Sequence, residues 1–240
     1  MTGMEKVIGR HQAGGEGAGA HWLSVSDLMA GLMMVFLFIA ITLMREAVLE
    51  REQIKEIAVA YRQNQVAIYK SLMAEFERDL KRWDAAIDRD TLAFEFRSPD
   101  VLFGTGETTI RPRFQEILED FFPRYVEVLR AYRGSIDEIR IEGHTSSEWN
   151  GSVTPTEAYF KNMALSQGRT RSVLQYVYDM PAVDEERDWV KRHFAAVGFS
   201  SSRLVRDASG KEDRVRSRRV TFRVITNAET QIRRIIEDVE

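Results

Sequence analysis

Hydrophobic residues along this 240-residue chain follow three distinct patterns. The first is a block, LMAGLMMVFLFIAITLM at 28–44: 17 residues with no charge and one hydroxyl, Thr42. Taken back to Trp22, it becomes 23 residues interrupted by Ser24, Ser26 and Asp27. At ~1.5 Å per residue this spans roughly 34 Å, enough for a hydrocarbon core of about 30 Å. The block is apolar on every face, unlike a core helix with a single stripe. It is longer than the apolar region of a cleaved signal peptide and runs directly into REAVLERE. The pattern predicts one transmembrane helix over 22–44, with Trp22 and Arg45 at its two interfaces and a short tail, 1–21, before it.

The second pattern covers 45–90, a stretch without Pro or Gly. Ile54, Ile57, Tyr61, Ile68, Leu72, Phe76, Leu80, Trp83 and Ile87 recur mostly at steps of three and four, a helical stripe. Its slot between Tyr61 and Ile68 is polar, Asn64 or Gln65. Two readings fit: an amphipathic helix packed on the following domain, or a parallel dimeric coil whose polar position sets register.

From residue 91 to 226 short elements alternate. LAFEF at 92–96 reads as a strand, and VLFGTGETTI as a loop or short hairpin. Pro112 opens a helix that Pro123 is expected to kink or break. IDEIRIEGHT forms a strand with Ile136, Ile139 and Ile141 inside. MALSQGRTRSVLQYVYDM forms a helix with Leu165, Val173, Leu174 and Val177 inward, and RDWVKRHFAAVG a further helix stopped by Gly198. RRVTFRVI at 218–225 closes as a strand, before a tail, 227–240. Strands alternating with helices predict an α/β layer sandwich.

Composition narrows the function. A net charge of −3 gives no basic footprint for direct nucleic-acid binding. Cysteine is absent, which excludes disulfides, Cys-ligated metals and a Cys nucleophile. The four histidines, at 11, 21, 144 and 193, do not form a ligand pair on a helix. No nucleophile elbow or phosphate-binding glycine loop occurs. The sequence therefore predicts a non-enzymatic chain without metal or cofactor.

Asp27 is its most informative residue. A carboxylate within a span costs a few kcal/mol unless it is protonated, paired or hydrated. One reading makes it a helix N-cap, helped by Ser24 or Ser26. The other makes it an ion-carrying carboxylate facing a partner or a water-filled path, with Ala30 and Gly31 permitting close helix approach. Thr42 and the serines could supply oxygens to Na⁺, but one Asp with mostly Met and Phe around it favours H⁺. Charge counting opposes an outward C-terminus: Lys6 and Arg10 precede the span, whereas Arg45, Arg51, Lys55 and Arg62 follow it.

The string WLSVSDLMAGLMMVFLF resembles the membrane segment of MotB-type stator subunits, in which a Trp is followed five residues later by the ion-carrying Asp. That residue maps onto Asp27. In such proteins the stretch after the span can plug the ion path, a place taken here by 45–60. The wording SVSDLMAGLMM and the short chain look closer to the ZorB-type subunits of Zorya anti-phage systems than to the flagellar branch. This resemblance implies a homodimer within a ring of multi-span ZorA-like or MotA-like partners. A cell-wall anchor that conducts nothing is the competing reading.

Residues 91–226 resemble the OmpA-like peptidoglycan-binding domain. The resemblance rests on IEGHTSS at 141–147, on Asn162-Met-Ala-Leu165-Ser166-Gln-Gly-Arg169, and on Ser217-Arg218-Arg219-Val220. It implies a peptidoglycan stem-peptide site at Asn162, Leu165, Ser166, Arg169, Ser146 and Arg218, and a periplasmic location for the domain. An Arg can grip a carboxylate through two parallel hydrogen bonds, and Ser166 with a helix N-terminus can add donors. Helix capping by Asn162 and Ser166, and a surface ion pair for Arg169, are the plainer alternatives. Ser146 departs from the family, which has an Asp there to meet the ligand's ammonium group; Glu148 is the nearest acid that can substitute. His144 reads as a neighbour of the ligand or as a structural strand-end residue.

Overall fold

The computed structural model describes residues 16–97 and 99–227, with side chains described for 25–97 and 101–227. The expected roles of Trp22 and Ser24, of the tail at 1–15, and of residues 228–240 lie outside the described residues. The chain divides into two compact units, Met1–Lys55 and Glu56–Glu240. A helix, α1, covers Glu16–Leu80 and contributes to both.

In the first unit the helix is long and apolar enough to cross a membrane. Leu28 is 76% exposed, Met34 75% and Phe38 69%, so none of the described residues shields the apolar run. Surface of this kind is stable in lipid rather than water. Thr42 Oγ1 lies 3.0 Å from the Phe38 carbonyl and 2.8 Å from that of Ile39, so its proton is satisfied within the helix. Asp27 lies in the interior of α1, well beyond the first turn. The N-cap reading is thereby overturned: the helix begins earlier, and no unpaired N-terminal N–H groups remain near Asp27 to cap.

In the second unit the helical stripe packs on the domain. Ile68, Leu72 and Phe76 are fully buried in the core. The polar slot docks as well: Asn64 Nδ2 donates to Ser135 Oγ at 3.1 Å, and Gln65 donates to the Asp90 carbonyl. Arg124 fastens the end of the helix through Glu75 (2.6 Å), Asp79 (3.0 Å) and its own-helix neighbour Asp120 (2.9 Å), with its guanidinium 4.8 Å from the Phe76 ring centroid.

The stripe's last member, Ile87, belongs to a strand instead. Asp84, at φ +49, turns the chain into β1 (Ala85–Ile87), which pairs antiparallel with β2 (Ala93–Phe96). A short turn of helix, α2 (Pro99–Leu102), follows, and Phe103 then bridges to Ile110 around the expected hairpin. Helix α3 (Pro112–Arg130) starts on Pro112 as predicted but continues through Pro123. Phe121, Phe122, Tyr125 and Val126 are all buried around that proline, and this packing outweighs the lost backbone hydrogen bond.

Next come β3 (Ile136–His144), α4 (Pro155–Tyr178), α5 (Arg187–His193), β4 (Phe194–Gly198), a short α6 (Arg214–Ser217) and β5 (Arg219–Thr226). FAAVG, expected to be helical, is β4, pairing parallel with β3. Five alternating residues with two alanines do not distinguish helix from strand; the open edge of β3 decides. The sheet order is β1-β2-β5-β3-β4. Phe94, Phe222 and Ile141 lie in one register row and carry the core face, where Phe121 meets Phe94, Phe96 and Phe222. The opposite face carries Glu95, Thr221 and Glu142 in their own row. The result is an α/β two-layer domain with its helices on one side of a mixed sheet.

If residues 68–80 belong to the core, Phe76→Ala destabilises the domain by about 3–5 kcal/mol, whereas Ile54→Ala, on the exposed stripe, changes it by less than about 0.5 kcal/mol. Denaturant unfolding of the detergent-solubilised chain, followed through Trp83 and Trp189 fluorescence, measures both. Equal effects would refute the assignment.

Candidate functional site

The site depends on how closely α4 lies against the sheet. The helix starts at Pro155, with Thr154 as N-cap in a capping box: Thr154 Oγ1 accepts from Glu157 N at 3.3 Å, and Glu157 returns a bond to Thr154 N at 2.8 Å. Asn162 and Ser166 are therefore mid-helix residues, and the capping role considered for them is replaced by Thr154. A Cβ on Gly143 would stand 2.7 Å from the Ser166 carbonyl, and one on Gly198 would stand 2.7 Å from Ser166 Oγ. Ser166 is fully buried between these two glycines. Its hydroxyl donates to the Met163 carbonyl at 3.0 Å and accepts from Ser200 N at 3.1 Å. It joins helix to sheet and offers no donor to a ligand.

The other five sequence-predicted residues line one cleft of about 190 Å³, together with Phe103, Thr145 and Trp149. Asn162 is buried, and its Nδ2 donates to the carbonyls of Ser146 (3.2 Å) and Glu148 (3.1 Å). It shapes the wall of the cleft. Leu165, expected inward as core, is half-buried and faces the cleft instead. Ser146 is buried at the base. Arg169 donates from Nε to the Glu107 carbonyl at 2.8 Å and from Nη2 to that of Gly104 at 2.9 Å, and its guanidinium lies 4.8 Å from the Phe103 ring centroid. It thus holds the 103–107 loop against α4. Arg218, at the start of β5, lines the same cleft.

The remaining wall is the 145–151 segment, tied down from a distant stretch of sequence. Ser147 donates its N–H to Glu212 at 2.8 Å, and Glu148 pairs with Arg214 at 3.0 Å. Glu148 is the one acidic residue among the described cleft lining. The sequence names Glu148 and carries Thr145 within the IEGHTSS motif, but gives no sign of Trp149, Glu212 or Arg214; the last two meet the 147–148 backbone and side chains across some sixty residues of chain.

Behind the cleft, on the polar face of the sheet, Glu142 is 3% exposed. His144 Nε2 lies 3.4 Å from it, Arg203 3.4 Å and Arg223 3.9 Å. Burial pushes the Glu142 carboxyl up, but the adjacent imidazole and the two arginines outweigh this and hold it below the usual 4.5. Burial, with the charges of Arg219 and Arg203, holds His144 below its usual 6.5 against the pull of Glu142. His144, at the end of β3, stacks on Phe199 with ring centroids 5.3 Å apart and lines a narrow recess with Arg169 and Arg218.

The signs of these shifts set the acid response. The unfolded chain takes up a proton at His144 more readily than the folded one, so this contribution is complete above about pH 6.5 and falls as pH drops below it. The Glu142 contribution is complete above about pH 4.5 and is lost on further acidification. Urea unfolding between pH 3 and 8 should show a two-stage decline in stability. His144→Asn removes the upper stage and Glu142→Gln the lower; unchanged pH profiles in both variants would contradict the assignment.

Comparison with known proteins bears on the whole chain. The OmpA family model matches residues 102–218, the region that contains the cleft. Among solved structures, the fold is similar to a putative MotB-like protein from Desulfovibrio vulgaris (20% identity, TM-score 0.47, covering 72% of this chain and 94% of that one). It is also similar to the cell wall anchor of the type VI secretion system of Pseudomonas aeruginosa (24% identity, TM-score 0.44, covering 65% and 96%). The Zorya protein ZorB of Escherichia coli is 57% identical over 235 residues, 98% of this chain and all of that protein. Identity at that level over nearly the whole of both chains means that this chain belongs to the ZorB family of Zorya proteins.

Proposed function

We propose that this chain is a MotB-like stator subunit of an ion-driven membrane motor that serves anti-phage defence. Two copies stand within a ring of ZorA-like multi-span partners, and the OmpA-family domain holds peptidoglycan on the periplasmic side. The observation that carries this reading is Asp27, the one carboxylate of the 22–44 stretch of α1, at the edge of an uncharged apolar run. An ionisable group in such a place is a functional feature by default, because leaving it there without a role costs a few kcal/mol. Membership of the ZorB family and the OmpA-family cleft supply the rest of the argument. The ion is H⁺: a single Asp with mostly Leu, Met and Phe along the run offers few oxygens to replace the water around Na⁺. Residues 45–60 then occupy the place of a plug that closes the ion path at rest.

Asp27→Asn keeps size and polarity but cannot carry a proton. Cells bearing the variant are expected to lose phage protection while the complex with the multi-span partner is still recovered in full. Undiminished protection by the Asn variant would leave the non-conducting wall anchor as the correct reading.

A periplasm-specific reporter fused after Glu240 is expected to be active and a cytoplasmic one silent, since a wall-binding domain must meet the wall. The excess of Lys and Arg after the span makes this a demanding test. A cytoplasmic signal at that position would overturn the proposed orientation.

A further inference from the structure

The tryptophans with described side chains fall into two groups. Trp83 and Trp189 are buried in the core, 4% and 6% exposed. Trp149 is half-buried, stands outside the core of the described residues and lines the cleft between exposed Glu148 and Asn150. The cleft's other aromatic ring, Phe103, is 2% exposed and lies 4.8 Å from the Arg169 guanidinium. Among the described lining residues, Trp149 is therefore the aromatic ring open to a ligand.

That ring fills no core, yet the backbone leading to it is braced. Asn162 holds the carbonyls of Ser146 and Glu148, Glu212 holds the N–H of Ser147, and Arg214 pairs with the Glu148 side chain. Just beyond it, Gly151 turns the chain at φ +91. A large apolar ring fixed on a wet wall is a preorganised contact surface, since little ordering remains to be done when a ligand covers it. The electrostatics select that ligand. The negative face of an indole repels carboxylates. A second cation is disfavoured because Lys161 Nζ already lies 5.9 Å from the ring centroid. A neutral pyranose ring, whose polarised C–H groups point from one face, meets neither objection.

A second, independent feature of the cleft narrows the sugar. Thr145 is 4% exposed; its N–H donates to the Ser200 carbonyl at 2.9 Å, but its buried hydroxyl has no partner. An unsatisfied buried donor costs free energy that an acceptor on a ligand relieves. Leu165 adds half-buried apolar surface to the same cleft. An acetamido group fits both, with a carbonyl oxygen for the hydroxyl and a methyl for the leucine.

We propose that Trp149 is a stacking platform for a sugar ring of the glycan strand, and that Thr145 accepts that sugar's acetamido carbonyl as a hydrogen-bond donor. The cleft then reads an N-acetylated hexosamine as well as the stem peptide. This assignment rests on the peptidoglycan reading above and deepens it.

The test uses the full-length protein in detergent and three probes: native sacculi, N-acetylated glycan strands freed of stems by an amidase, and the released stem peptides. Co-sedimentation reads the first and titration calorimetry the other two, for wild type, Trp149→Ala, Trp149→Phe and Thr145→Val, with thermal unfolding of each. Wild type is expected to bind the stem-free strands, with a blue shift of tryptophan emission that Trp149→Phe abolishes. Trp149→Ala weakens strand binding by about tenfold, and Trp149→Phe retains most of it. Thr145→Val weakens it by about twofold to tenfold. Stem-peptide binding is unchanged in the Trp149 variants, and all of them unfold at the wild-type temperature. Undiminished strand binding by Trp149→Ala, or an equal loss for strands and stems, overturns the platform. Undiminished strand binding by Thr145→Val overturns the acetamido contact. Wild type that binds sacculi and stems but not strands overturns the whole assignment and leaves peptidoglycan binding standing. Wild type that binds none of the three refutes the peptidoglycan reading itself, and this assignment with it.

Discussion

Helix α4 lies so close to β3 and β4 that no side chain can stand at Gly143 or Gly198. That approach places the other parts of the cleft. It wedges Ser166 between the two strands, sets Asn162 under the 145–149 backbone, and brings Leu165 and Arg169 to the cleft wall. The site is therefore built on rigid elements, and the loops that complete it are held by specific links: Arg169 to the 103–107 loop, Glu212 to Ser147, and Arg214 to Glu148. A cleft assembled from loops holds its geometry only if such supports fix them.

The chain also has to meet two solvents. Up to Met44 the helix presents apolar side chains on all sides, which is stable only where water is absent. Further along the same element only one stripe is apolar, and from Ile68 onward that stripe is spent on the core of the domain. Arg124 reinforces this docking with three carboxylates and an aromatic face. The polar side of the sheet follows a different logic. Glu142 is buried, yet it persists because an imidazole and two arginines surround it. Removing one partner of such a cluster leaves an uncompensated buried charge.

Much of this was legible in the residue order. The 28–44 block needs no tertiary information to be read, because a run without charge or period has one stable environment. The alternation of Ile139 and Ile141 and of Val220, Phe222 and Val224 fixed the core face of the two central strands, and all five are buried; Ile136, out of step with them, is buried beyond a register shift between Ile136 and Glu138. Sequence motifs also identified five residues that converge on the cleft. Three local readings failed for one shared reason. FAAVG, Pro123 and Ile87 each sit where intrinsic preference is weak or adverse, and neighbouring surfaces decided the outcome: an open strand edge, an aromatic core, and a turn at Asp84.

Within the site the same division holds. The sequence by itself determined which residue types meet there through the motifs it shares with the OmpA family, which carry Asn162, Leu165, Arg169 and Arg218. It could not determine their roles. Whether an arginine is free for a ligand depends on which carbonyls lie within about 3 Å of it, and those of Gly104 and Glu107 come to Arg169 from sixty residues away. Nor could it tell that Ser166 is sealed between two glycines, or that the hydroxyl of Thr145 is left without a partner. Spacing along the chain carries periodicity, and periodicity fixes faces. Hydrogen-bond partnership is a property of distances between remote segments, and only the folded domain sets those.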